Sequence, residues 1–128
     1  MREILFRGKR TDGMGWIEGY YANCCYPNRD KNRIYHLIIE YPNNYYEIYT
    51  GTLGQYTGLT DKNGKKIFEG DIVKLASVLS TGVVTYHLYK FMVDDIDDGM
   101  QNYSSDMWEE CKVIGNIFDN PELLKESE

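Results

Sequence analysis

Residues 54–74, GQYTGLTDKNGKKIFEGDIVK, constrain the fold of this chain more than any other stretch. Asn63-Gly64 readily adopts the positive φ angles of a tight reversal, so the chain is predicted to turn between Thr60 and Lys65. Lys66-Ile67-Phe68-Glu69 then reads as a strand, Gly70-Asp71 as a corner or bulge, and Ile72-Val73-Lys74-Leu75 as the strand resumed. A glycine corner leading into β-branched residues suits a small, strongly coiled sheet, because closing few strands demands sharp local bending. The expected architecture is mainly β: a small SH3-like barrel with an additional N-terminal β-hairpin and a short C-terminal helix.

Composition agrees with this reading. Twelve tyrosines and twelve glycines in 128 residues favour strands and turns over helices. That length supports one core, so a single domain over residues 1–128 is expected, with N-terminal strands over 1–53, the barrel over 54–120 and a helix and tail over 121–128. The chain shows neither eighteen consecutive apolar residues nor a charged-then-apolar leader, which leads to the expectation of a cytoplasmic protein without a membrane partner. Cys24, Cys25 and Cys111 are odd in number and two are adjacent, which suits reduced thiols better than a disulfide framework.

The formal charge of −6 conceals a gradient: residues 1–35 carry +3, residues 36–93 balance, and residues 94–128 carry −9. A solvated acidic segment is the simplest account, and a surface for a basic partner or for the basic end of a second copy is the alternative.

Taken in order, residues 2–22 read as a first hairpin, with Ile4 and Phe6 on one face and Trp16-Ile17-Glu18-Gly19-Tyr20-Tyr21 returning after a turn at residues 11–15. Its plan resembles that of residues 58–70, although all tight hairpins draw on the same few turn residues. Residues 22–33 read as a polar loop. Residues 34–41, IYHLIIEY, are apolar on both faces and suit a central strand; Pro42-Asn43-Asn44 turns it into a strand over 45–50. Residues 76–82 form a connection, residues 83–93 the longest strand, residues 94–106 a solvated acidic loop and residues 107–118 a last strand. Asn120-Pro121-Glu122-Leu123-Leu124 has the cap, proline and acid of a helix start.

Three chemical readings fail on spacing. Gly13-x-Gly15 lacks the third glycine and the following helix of a dinucleotide loop. Aligning Gly99 with the sixth position of a calcium loop puts Ile96 and Ser105 where carboxylates belong. A zinc site built on Cys24 or Cys25 with His36, His87 or Cys111 lacks the usual ligand spacing. His36 in a tyrosine-rich strand reads as a hydrogen-bonded structural residue.

Several segments together resemble the YopX family of phage and prophage proteins: Arg2-Glu3-Ile4-Leu5-Phe6-Arg7-Gly8-Lys9, the run from Gly54 through Gly64, Glu69-Gly70-Asp71-Ile72-Val73, Val113-Ile114-Gly115-Asn116-Ile117 and Asn120-Pro121-Glu122-Leu123-Leu124. The resemblance spans the chain and implies a β-rich fold containing an SH3-like barrel, a phage or prophage origin and a bacterial cytoplasm. It brings no activity and no catalytic residues.

With no phosphate loop, nucleophile elbow or metal spacing in the sequence, the expected function is a non-enzymatic binding or accessory module without catalytic residues, cofactor or metal. The alternative is nucleic-acid binding through Arg7, Lys9 and Arg10 before the first turn and Lys62, Lys65 and Lys66 around the second, beside stacking tyrosines. The acidic total opposes tight nonspecific binding. A homo-oligomer and a basic host or phage protein are the other expected partners.

Overall fold

The computed structural model describes residues 4–24, 33–40, 42 and 44–125. The chain divides into two units, Met1–Gln55 and Tyr56–Glu128, and the mainly β expectation holds in both, as antiparallel strands.

In the first unit, β1 (Phe6–Arg10) and β2 (Trp16–Cys24) form the expected N-terminal hairpin, closed by a turn in which Gly13 and Gly15 have φ of +80° and +95°. β3 (Tyr35–Glu40) pairs with β2 on one side and β4 (Asn44–Thr60) on the other, the central position that its apolar sequence predicted. β1 also pairs with β4, so the pairings run from β1 through β2, β3 and β4 back to β1. Such tight enclosure needs small residues facing inward. Gly19 supplies one: a Cβ there would stand 2.2 Å from the Ile39 carbonyl oxygen and 3.0 Å from Ile38. Among the described residues of this unit, Tyr35, Leu37, Ile38 and Ile48 are the buried apolar ones. Where a loop was predicted from residue 22, β2 continues through Cys24; the middle of that predicted loop, residues 25–32, lies outside the described residues, as does position 43 of the predicted 42–44 turn.

The second unit begins within β4, which is far longer than the predicted 45–50 strand. Tyr56 and Thr60 of β4 pair with Phe68 and Lys66 of β5 (Lys66–Phe68) across a register shift. The predicted turn is present, with Gly64 at φ +80°, and Gly70 at φ +92° makes the expected corner into β6 (Asp71–Leu75). β7 (Ser80–His87), β8 (Lys90–Asp95), β9 (Gly99–Gln101) and β10 (Lys112–Asn116) complete an antiparallel sheet ordered β10-β6-β7-β8-β9. Its core joins Ile67, Val73, Leu75, Val84 and Val93 to Tyr103, Trp108, Cys111 and Val113. Burying each such aliphatic side chain contributes roughly 1.5–3 kcal/mol, which makes this cluster the main source of the unit's stability.

The structure corrects four expectations here. Residues 83–93 are not one strand but the hairpin β7–β8, reversed at Leu88-Tyr89. The loop predicted over residues 94–106 instead holds the end of β8, a tight turn, β9 and the start of a helix. That helix, α1 (Ser105–Glu110), replaces the front of the predicted 107–118 strand: the Ser104 hydroxyl accepts from the Met107 N–H at 3.3 Å, and Trp108 turns into the core. The C-terminal helix is a single 3-10 turn at Pro121–Leu124 whose Asn120 side chain does not cap it. Asn120 Oδ1 accepts instead from the Asn116 N–H at 3.2 Å, which makes it a brace for the end of β10.

Three buried aspartates organise the turns of this unit. Asp61 Oδ1 accepts from the Asn63 and Lys65 N–H groups at 2.8 and 2.9 Å, while its Oδ2 accepts from Val113 of β10 at 2.9 Å. Asp71 accepts from the Phe68 N–H at 2.8 Å across the glycine corner. Asp95 accepts from the Asp97 and Asp98 N–H groups, each at 2.9 Å, and from the Ser80 hydroxyl. Burial pushes the Asp61 and Asp95 carboxyls up, but these donors outweigh it and hold both below the ordinary carboxylate value.

Candidate functional site

The six cations singled out in the sequence divide between the units. In the first, Arg7 is buried with its guanidinium 4.8 Å from the centre of the Trp16 ring. Lys9 is half-buried, 6.0 Å from the same ring, and Arg10 lies 4.1 Å over Tyr46 while bonding Asp12 at 2.5 Å. In the second, Lys62 and Lys65 are exposed on the predicted turn, and exposed Lys66 stands 5.9 Å from the Tyr56 ring. Register puts Trp16, Lys9 and Tyr49 in one cross-strand row of the first unit, and Tyr49 is exposed.

Two groups outside that set, His36 and Cys111, have partners. His36 Nδ1 meets the Tyr21 hydroxyl at 2.5 Å with the two rings nearly parallel, the structural role expected for it. The buried Cys111 thiol donates to the Trp108 carbonyl at 3.1 Å, and burial pushes its pKa up to about 11. Since the thiolate is the reactive form, Cys111 is expected to resist labelling near neutral pH. In a chain carrying Cys24→Ser and Cys25→Ser, a colorimetric disulfide reagent should react slowly until denaturant is added; immediate reaction would contradict the burial. Among the described residues no group of three or more His, Cys, Asp or Glu is placed to hold a metal ion, and no helix is long and apolar enough to cross a membrane.

The feature that sequence reasoning missed is the β7–β8 tip. Leu88 and Tyr89 have φ of +51° and +67°, the reversal with two positive φ angles that normally takes Asn-Gly. Both side chains project outward, Leu88 73% and Tyr89 93% exposed. Below them His87 pairs with Lys90, and Tyr86 meets Phe91 edge to face at 5.0 Å, which holds the hairpin stiff beneath its tip. No glycine, asparagine or proline marks this turn, so nothing in the sequence separated it from a continuous strand.

Lys90 belongs also to the wall of an open cleft of about 440 Å³. Its floor is the Tyr103–Trp108 pair, in edge contact at 5.1 Å, and its rim includes Leu59, Thr60, Ser105 and Glu109. A second cleft, of about 360 Å³, lies between exposed Leu79, itself at φ +51°, and the acidic turn of Asp95, Asp97 and Asp98. Asp95 there is committed to its turn.

A family model described as "YopX protein" matches residues 5–125. The chain belongs to the YopX family. The resemblance carried by the segments at both termini and by residues 54–73 is thereby confirmed. Among solved structures the chain is similar to the crystal structure of protein EF1440 from Enterococcus faecalis, with 27% identity and a TM-score of 0.58 over 98% of this chain and 100% of that one. The comparison with curated proteins gives no match. Membership supports the β-rich fold, and neither comparison brings an activity to the tip or the cleft.

Proposed function

We propose that this YopX-family chain is a non-enzymatic binding or accessory module of a phage or prophage, acting in the bacterial cytoplasm and docking a protein partner through the β7–β8 tip. One observation carries the reading: Leu88 and Tyr89 occupy left-handed backbone and point two large apolar side chains at solvent. Each such backbone costs of order 1–3 kcal/mol and persists where the surroundings enforce it, commonly at binding sites. Exposure of the side chains adds nothing to folding, so the arrangement makes sense as a prepared contact. We read this unit as SH3-like, and small sheets of that kind present recognition residues on loops held by a rigid scaffold.

The test is photo-crosslinking in host cells with a photoreactive phenylalanine analogue at position 89 and, as control, at the exposed position 12. Discrete adducts from position 89 and none from position 12 are expected. Equal patterns from both, or no adduct from position 89, would overturn the reading.

Nucleic-acid binding is the second reading, favoured by the row of Trp16, Lys9 and exposed Tyr49, a cation between two stacking surfaces. A low-salt gel shift with single and double strands checks it; absence of any shift removes it.

A further inference from the structure

We propose that the occupant of the Tyr103–Trp108 cleft is the β7–β8 tip of a second copy of this chain, each copy inserting Leu88 and Tyr89 into the other. This rests on the tip being a docking element and assigns its partner. Three observations on one unit lead to it.

The first is adjacency. Lys90 both flanks the tip and lines the cleft, so donor and acceptor surfaces lie side by side. When a surface and its complement are neighbours, a two-fold axis between two copies satisfies both at once, and the assembly closes. The second is chemistry. The tip offers an aliphatic and an aromatic side chain, and the cleft offers an aromatic floor with Leu59, 40% exposed, at its rim. Aromatic anchors seated in pockets dominate the energetics of protein interfaces. The third is charge. The residues around the tip, His87 and Lys90, include no acid, while α1 on the cleft side carries exposed Asp106, Glu109 and Glu110 and no base. Within one copy Lys90 and Glu109 both line the cleft; the exchange of tips sets Lys90 of each copy against Glu109 of the other, where complementary charge selects and orients the encounter.

The acidic character of residues 94–128 acquires a role in this arrangement. Part of it, on α1, is the counter-surface for a basic hairpin flank rather than a solvated loop.

Light scattering on the purified chain, read across concentration, is expected to give twice the 15.0 kDa chain mass. K90E and E109K are each expected to weaken association by roughly tenfold or more, since each places like charges against each other at both contacts. An equimolar mixture of K90E with E109K should recover the wild-type mass, because every cross-copy contact then pairs opposite charges. The photoreactive group at position 89 should crosslink the purified protein to a second copy, within residues 58–60 or 103–109. A monomer at every concentration, or single variants that associate like wild type, would overturn the proposal. So would failure of the mixture to recover while both variants remain folded by circular dichroism. Adducts in cells to a different protein, with the purified chain monomeric, would overturn this pairing and leave the tip a docking element; no adduct in either setting would overturn both.

Discussion

Asp61→Ala is expected to lower the unfolding free energy by up to about 3 kcal/mol, the cost of leaving a buried backbone donor without an acceptor. The reasoning starts from which of its three bonds water can replace. The Asn63 and Lys65 N–H groups belong to an exposed turn and regain water readily; the Val113 N–H is on a buried residue of β10 and does not. The carboxylate therefore ties a hairpin turn to a strand fifty-two positions away in sequence, and its loss loosens both. Asp61→Asn is a sharper probe. Its amide has one acceptor oxygen, so if that oxygen serves the turn, its NH₂ group faces the Val113 N–H, donor against donor. Asparagine should consequently rescue little of the loss, measured by chemical denaturation against wild type. On a scale of about 5–15 kcal/mol for a whole domain, the effect is large.

The same carboxylates set an acid limit. The folded-state values of Asp61 and Asp95 lie below the ordinary 3.8, so the native state binds fewer protons than the unfolded chain in that region. Their stabilisation is complete above about pH 4 and is lost as pH falls through the depressed values. In Asp61→Ala the slope of stability against pH below 4 should flatten. An unchanged slope would mean that Asp61 is not the titrating group.

These aspartates illustrate what was legible in the sequence and what was not. Asn63-Gly64 and Gly70-Asp71 announce turns through backbone preferences that act within four residues, and both turns are present. That Asp61 also reaches Val113 depends on a contact that no local preference encodes. α1 shows the intermediate case: Ser104 and Asp106 form a recognisable helix start, but six residues are too few for a helical period to outweigh the apolar run that follows. Family membership was legible because its motifs lie in the glycine corners and strand cores. The tip was not, because its turn contradicts the rule that makes turns visible.

That contradiction supplies the second large expected effect. Replacing the tip by Asn-Gly, L88N/Y89G, is expected to raise stability by about 1–2 kcal/mol, since both residues adopt positive φ at low cost and no core contact is removed. The same change should abolish crosslinking-detected and light-scattering-detected association, because the two anchor side chains are gone. Stability and association moving in opposite directions is the signature of a residue pair retained for contact rather than for folding. If stability fell instead, Leu88 and Tyr89 would be supporting the hairpin from outside, and the strained turn would be a structural device. A gain in stability with association intact would place the docking surface elsewhere on the molecule. Only the gain with the loss agrees with a tip whose backbone strain is maintained by what it binds.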